Sequence, residues 1–311
     1  MKKVLVTGGA GYIGSIVVKD LISEGFEVVV VDNLSKGLKS LVDKKAKLII
    51  GDLVNREFLK SVFSNHEFDA VIHFASYKDA EESMINTEKY SDNITGMLNL
   101  LNVMSEYDVK QIVFSSSAAV YGEPREEVIT EDHPKNPLNF YGFTKLEGER
   151  LLSWFYKLKK INFTALRYFN VAGDGGLNYL DPDAKNIFPI ICEVVSGKRN
   201  KLKIFGDDYE TKDGTCVRDY IHVSDLANAH IKALTLKGSN FINLGSSKGY
   251  SVLDLVNAFK EKGTVDFEIV ERREGDPAKL IANNSLAKEL LKWEPKHGLK
   301  EMIESTLNAY R

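Results

Sequence analysis

Short apolar runs alternate with longer amphipathic stretches through the first half of the chain. Lys3-Val4-Leu5-Val6-Thr7 is followed by helical spacing from Tyr12 to Glu24 and then by Val28-Val29-Val30-Val31, which predicts a βαβ unit. Further strand-like runs stand at Lys47-Leu48-Ile49-Ile50, Ala70-Val71-Ile72-His73-Phe74, Gln111-Ile112-Val113-Phe114-Ser115 and Thr164-Ala165-Leu166-Arg167-Tyr168, with helical spacing over 55–64, 90–107 and 141–159. These runs are continuous rather than alternating, so both faces of each strand are expected to be covered. The pattern predicts an α/β fold with a doubly wound parallel Rossmann sheet over residues 1–170. After Tyr168 the rhythm changes. Gly173-Asp174-Gly175-Gly176 and the segment to Pro182 read as loop, and the later elements are shorter, which predicts a smaller mixed α/β substrate-binding domain over 171–311. A helix over 223–236 is expected to return and pack on the first domain.

Composition narrows the class without changing the fold. The 311 residues are 43% hydrophobic and 27% charged, an ordinary globular balance. With a net charge of -3 and Lys and Arg spread along the whole chain, no basic stripe is present, and nucleic acid is not expected as a partner. No apolar run approaches the length of a membrane span, and Gly8-Gly9 interrupts the opening Met1-Lys2-Lys3-Val4-Leu5-Val6, so a soluble, cytoplasmic protein is expected. Cys192 and Cys216 are the only cysteines, and the six histidines form no metal-ligand pattern, so neither a disulfide framework nor a metal is expected.

The first chemical signal lies in Gly8-Gly9-Ala10-Gly11-Tyr12-Ile13-Gly14, between the first strand and the first helix. Gly8, Gly11 and Gly14 suit a tight turn whose backbone N–H groups approach a pyrophosphate at the positive end of a helix. Asp32 ends the second strand 18 residues after Gly14, where a carboxylate accepts from adenosine ribose hydroxyls and repels a 2′-phosphate, so NAD is favoured over NADP. Asp52 suits either an adenine contact or a turn. A second signal is Tyr141-Gly142-Phe143-Thr144-Lys145, whose four-residue interval puts the phenol and the ammonium on one helix face. A nearby ammonium and a cationic nicotinamide ring are expected to lower the Tyr141 pKa and make it a proton carrier. Ser115-Ser116-Ser117 ends a buried strand at the carboxyl edge of the sheet, where one hydroxyl is placed to hold a substrate hydroxyl against the tyrosine.

These segments together resemble the extended short-chain dehydrogenase/reductase family, and within it the UDP-galactose 4-epimerases. The resemblance runs over almost the whole chain, through Asp32-Asn33-Leu34, Ser115-Ser116-Ser117-Ala118-Ala119-Val120-Tyr121-Gly122, Leu166-Arg167-Tyr168-Phe169-Asn170, Asp213 to Val223, Asn243-Leu244-Gly245 and Arg272-Arg273-Glu274-Gly275-Asp276. It implies Ser117, Tyr141 and Lys145 as catalytic residues. Tyr12, Ile13, Asp32, Asn33, Asp52, Leu53, Phe74, Lys78, Asn93 and Phe169 would line the NAD site, with Lys145 also holding the nicotinamide ribose. Asn170, Asn186, Phe205, Arg218, Arg273 and Asp276 would meet the UDP-sugar, together with Lys78, Ser117 and Tyr141. Two arginines suit a diphosphate and Phe205 offers a face for uracil. Leu280 would border the sugar's 2-substituent. The implied activity is C4 epimerisation of UDP-galactose and UDP-glucose, with UDP-N-acetylhexosamines as slower substrates, by a homodimer joined through helices near 90–107 and 141–159. A nucleotide-sugar 4,6-dehydratase would carry an Asp-Glu pair where Ala118-Ala119 stands, and a non-catalytic NAD sensor would not need the Ser117, Tyr141 and Lys145 set.

Overall fold

Consecutive valines and leucines in the first strands serve two different cores. Val4 and Val6 pack in one and Leu5 in the other, and the same division separates Val28 and Val30 from Val29 and Val31. A strand covered on both faces therefore needs an unbroken apolar run, as the sequence shows. The structure, a computed structural model, describes residues 2–180, 185–273 and 276–310. Pro182, and Glu274 and Gly275 of the Arg272–Asp276 segment, lie outside the described residues.

The chain runs β1 (Lys3–Thr7), α1 (Tyr12–Ser23), β2 (Glu27–Asp32), β3 (Lys47–Ile50), α2 (Arg56–Ser64), β4 (Ala70–His73), α3 (Ala80–Ile85), α4 (Thr87–Glu106), β5 (Gln111–Ser117), β6 (Val128–Ile129) and α5 (Phe140–Lys159). It continues through β7 (Asn162–Tyr168), β8 (Asn170–Ala172), α6 (Ile187–Val195), β9 (Leu202–Phe205), β10 (Val217–His222), α7 (Val223–Ala233) and β11 (Ser239–Leu244). The last elements are β12 (Gly249–Ser251), α8 (Val252–Lys260), β13 (Phe267–Val270), β14 (Lys279–Ala282), α9 (Ser285–Leu291) and α10 (Leu299–Tyr310).

Seven strands form one parallel sheet in the order β3-β2-β1-β4-β5-β7-β11, with the change of direction between β1 and β4. That point opens a crevice beyond the carboxyl ends of the strands, the place where doubly wound sheets bind ligands. Helices α1, α7 and α9 cover one face and α2, α4 and α5 the other. The doubly wound parallel sheet with a smaller mixed α/β lobe is thus as expected; the second sheet, β12-β10-β14-β6 with β8 beside β10, takes β6 from the first half of the chain, and β9 and β13 form a small pair. A third core gathers α6, α8 and α10 around Phe188, Phe259 and Leu307.

After residue 170 the chain crosses back to the first sheet. The helix expected over 223–236 does return, as α7, and packs on α1. Strand β11 follows it and pairs with β7 from Ser239 opposite Phe163 to Leu244 opposite Tyr168. Ala287, Leu291 and Trp293 then close the same first core. The physical reason is the open edge of β7: without β11 its backbone groups would be left unpaired beside an apolar face.

Candidate active site

The turn between β1 and α1 is shaped by its glycines. Gly8 has φ of +73°, and a Cβ there would stand 2.5 Å from the Ala75 nitrogen, at the end of β4. A Cβ on Gly14 would meet the Gly8 carbonyl at 2.3 Å, so only glycine lets the helix start this close to the strand. Gly11 is the residue before α1, and no side chain caps the helix there. Its positive end is thus presented by backbone alone, beside Ile13, which fits a pyrophosphate. The Tyr12 hydroxyl donates to the Gly173 carbonyl and its ring stacks on Tyr179 at 5.0 Å, so this side chain ties the helix start to the loop after β8.

Asp32, the last residue of β2, is buried. Its Oδ2 accepts from the Ala10 N–H at 3.0 Å and its Oδ1 from the Leu34 N–H at 2.8 Å, which brings the acid to the glycine turn. A carboxylate has lone pairs beyond these two bonds for ribose hydroxyls. Asn33 donates to Asp52 Oδ2 at 2.9 Å, joining the ends of β2 and β3. Leu53 instead turns its side chain into the second core. Phe74 lies against His230 at 4.6 Å, and Phe169 is buried with Ala118 and Val120. Asn93 accepts from the Tyr77 N–H at 2.9 Å and donates to the Tyr77 carbonyl and to Thr144 Oγ1, fixing the turn that carries the exposed Lys78.

The reacting groups meet at the carboxyl end of β5. Helix α5 starts with Asn139 accepting from the Gly142 N–H at 2.8 Å, which sets Tyr141 in its first turn. The Ser83 hydroxyl accepts from the Tyr141 N–H at 3.0 Å. The Tyr141 phenol lies close enough to the hydroxyl of Ser117, the last residue of β5, to feel it. One turn along, Lys145 donates to the Ser115 carbonyl at 2.8 Å, and its ammonium lies 5.7 Å from the centre of the Tyr141 ring.

Burial, more than pairing, sets the acid–base character here. The Tyr141 phenol is pushed up from its ordinary value by burial, against the opposing effect of the Ser117 hydroxyl. The expected lowering by Lys145 is therefore not found, because the amine is itself desolvated and pushed down to about 7. Sequence reasoning missed His73, whose Nδ1 lies 2.7 Å from Thr7 Oγ1 at the crevice and whose pKa is held down to about 3, chiefly by burial and then by Lys145. It also missed the bond between Tyr168 and Ser115, two residues before Ser117 on β5. The available signal was a lone polar residue ending an otherwise apolar strand.

The second lobe supplies the other wall. Strands β10 and β14 pair in parallel with Arg218 opposite Leu280, and Arg218 is ion-paired with Asp276. Leu280 packs against the cluster that holds Ala118 and Phe169. Asn170 donates to the Asp219 carbonyl at 3.2 Å. Asn186 precedes α6, exposed and without a side-chain capping bond. Phe205 does not present an open ring: the Arg273 guanidinium lies 3.9 Å over it as a cation–π contact, and Arg273 also reaches Glu81 of α3 at 3.8 Å.

Comparison with known proteins places this geometry. Residues 4–245 match the NAD dependent epimerase/dehydratase family. UDP-glucose 4-epimerase of Streptococcus mutans serotype c is 48% identical over 99% of this chain and 96% of its own. That of Lacticaseibacillus casei is 44% identical over 98% and 96%. A solved UDP-glucose 4-epimerase from Stenotrophomonas maltophila, with bound NAD and formylated UDP-arabinopyranose, superposes with a TM-score of 0.96 at 37% identity, covering 100% of this chain and 98% of that one. A glycine turn backed by an acid, a tyrosine brought beside a serine and relatives alike along their whole length give one answer: the chain belongs to the NAD-dependent epimerase/dehydratase family.

Proposed function

We propose that Ser117, Tyr141 and Lys145 carry out in this chain the C4 epimerisation for which its relatives are named, interconverting UDP-galactose and UDP-glucose through a bound 4-keto sugar. The observation that carries the reading is the meeting of Tyr141 and Ser117 at the carboxyl edge of the sheet, the edge that also carries the glycine turn, with Lys145 buried one turn along. Gly8–Gly14 and Asp32 would hold NAD, which would supply a reversible acceptor for the C4 hydride. Ser117 holds the sugar O4, and Tyr141 takes its proton and later returns it. Lys145, poised near neutrality and anchored on the Ser115 carbonyl, can lend charge to the tyrosine without leaving the site. Arg218 and Arg273 suit the diphosphate, and Arg273 would leave the Phe205 face when a base stacks there.

The test is incubation with UDP-galactose and no added cofactor, followed by analysis of the nucleotide sugars. UDP-glucose is expected. A 4-keto-6-deoxy sugar would instead identify a dehydratase, and unchanged substrate a binding protein without this chemistry.

A homodimer and a cytoplasmic location are part of the same proposal. Helices α4 and α5 pack on each other, and while Met97, Leu100 and Leu152 face the core, Trp154 and Leu158 of α5 stand 59% and 70% exposed, with Leu98 of α4 also outside. An apolar strip on paired helices suits a bundle with a second copy. Two buried, unpaired thiols, Cys192 and Cys216, suit a reducing compartment.

A further inference from the structure

Behind the reacting pair lie a carboxylate and a guanidinium that the chemistry above does not use. Arg167 and Glu149 are 1% and 3% exposed. Their contact is a fork, with Nε 2.8 Å from Oε1 and Nη2 2.7 Å from Oε2. The Ser116 hydroxyl donates to the same Oε1 at 2.7 Å. On its other side the guanidinium donates through Nη1 to the Tyr121 hydroxyl at 3.0 Å, and Tyr121 donates to Asn243 of β11 at 2.6 Å.

Taking two charges out of water is costly, and a packed apolar pair would fill this space about as well. What the fork adds is direction, since planar groups bonded twice allow neither sliding nor rolling. Glu149 follows Lys145 by four residues and Tyr141 by eight, so the three share one stripe of α5. Ser116 immediately precedes Ser117. A single carboxylate thus grips both the helix that carries the tyrosine and the strand that carries the serine. Besides the Lys145 ammonium on the Ser115 carbonyl, a bond at the end of a long, pliable side chain, the contact between them is made by Phe114 against the bare backbone of Gly148, where an added Cβ would come within 2.8 Å of the ring. Such a smooth apolar contact resists separation, not sliding.

We propose that Glu149, held by Arg167, is a positioning residue: it sets the axial place and roll of α5 on β5 so that the Tyr141 and Ser117 hydroxyls converge on one sugar oxygen. The proposal rests on the reading of Tyr141 and Ser117 given above. It is tested with Glu149→Gln, Ser116→Ala and the control Tyr141→Phe, measuring kcat, KM for UDP-galactose and retained NAD in the purified protein. Glu149→Gln is expected to lower kcat about 10²-fold, the order that a misplacement near 1 Å costs, with KM within about twofold and NAD retained. Ser116→Ala, which removes one hydroxyl, is expected to lower kcat about fivefold with the same split. A purely structural role would reduce the yield of folded protein but leave its kcat and KM unchanged. Should Glu149→Gln not fold, Ser116→Ala decides, and full kcat in it overturns the proposal. Loss of activity in Tyr141→Phe beside full kcat in both other variants overturns the positioning role alone. Near-normal turnover in Tyr141→Phe overturns the assignment of the proton carrier instead.

Discussion

At the scale of single residues, the site works against its own solvation. Lys145 is buried and Tyr141 half-buried, and desolvation drives each towards its neutral form, the phenol up and the amine down to about 7. A hydroxyl with no other role in folding should be removable at little structural cost, so Tyr141→Phe is expected to keep its fold and bound NAD while turnover falls by at least about 10²-fold. Steady-state kinetics beside the ultraviolet spectrum of the purified variant checks both halves. Leu280 tests the sugar wall. It stands opposite Arg218 and packs towards Phe169, with neither ring nor hydroxyl to fill the space beyond it. UDP-galactose is expected to be the better substrate and UDP-N-acetylgalactosamine a slower one, with Leu280→Tyr cutting kcat/KM for the N-acetyl sugar selectively. An equal loss for both sugars would remove Leu280 from the role of gate.

At the scale of elements, α5 is the part on which the site turns, and its contact with the sheet edge is made through glycine. A Cβ on Gly142 would lie 2.6 Å from the Ala119 carbonyl oxygen, just past Ser117. Alanine favours a helix over glycine by about 1 kcal/mol, yet here the added methyl must push the helix away. Gly142→Ala is therefore expected to lower kcat at least about tenfold and to lower the Tm, despite the better helix former. Melting curves showing a rise in Tm at full activity would contradict this. Elements of this kind were legible in the sequence where burial on two faces left unbroken apolar runs, as in Val28 to Val31, and where helical spacing runs long, as over 141–159. Strands β6 and β8 were not: two or three residues are too short to show a period, and their partners lie far along the chain. The stacking of Arg273 on Phe205 and the direction of the Tyr141 shift were hidden for the same reason, since both arise from packing between segments distant in sequence.

For the whole molecule, buried histidines set the response to acid. His73, His222 and His230 are held down to about 3, 4 and 4, each chiefly by burial, while Asp219 is raised to about 6 by the same cause. Below pH 6.5 the unfolded chain takes up protons on these histidines that the folded protein refuses, so their contribution to stability is present above that pH and is lost as the pH falls towards 4. Asp219 acts in the opposite sense between about 6 and 3.8, offsetting one of the three. Each unmatched proton is worth about 1.4 kcal/mol per pH unit. Denaturant titrations from pH 7 to 4 are expected to show this fall, and His230→Gln to make it shallower; an unchanged slope would refute the assignment. In assembly, Trp154→Glu should yield monomers in sedimentation experiments if α5 joins two copies. The edge strand β11 bears on how the protein is made. It pairs with β7 but leaves the ribosome roughly 75 residues later, which at about 5–20 residues per second is several seconds. Through that interval the growing chain carries a nearly complete sheet with a naked edge, a template for pairing with any neighbouring nascent copy. Slow translation between Tyr168 and Ser239 should therefore favour aggregation, and a chain ended at residue 170 should depend on chaperones to remain dispersed.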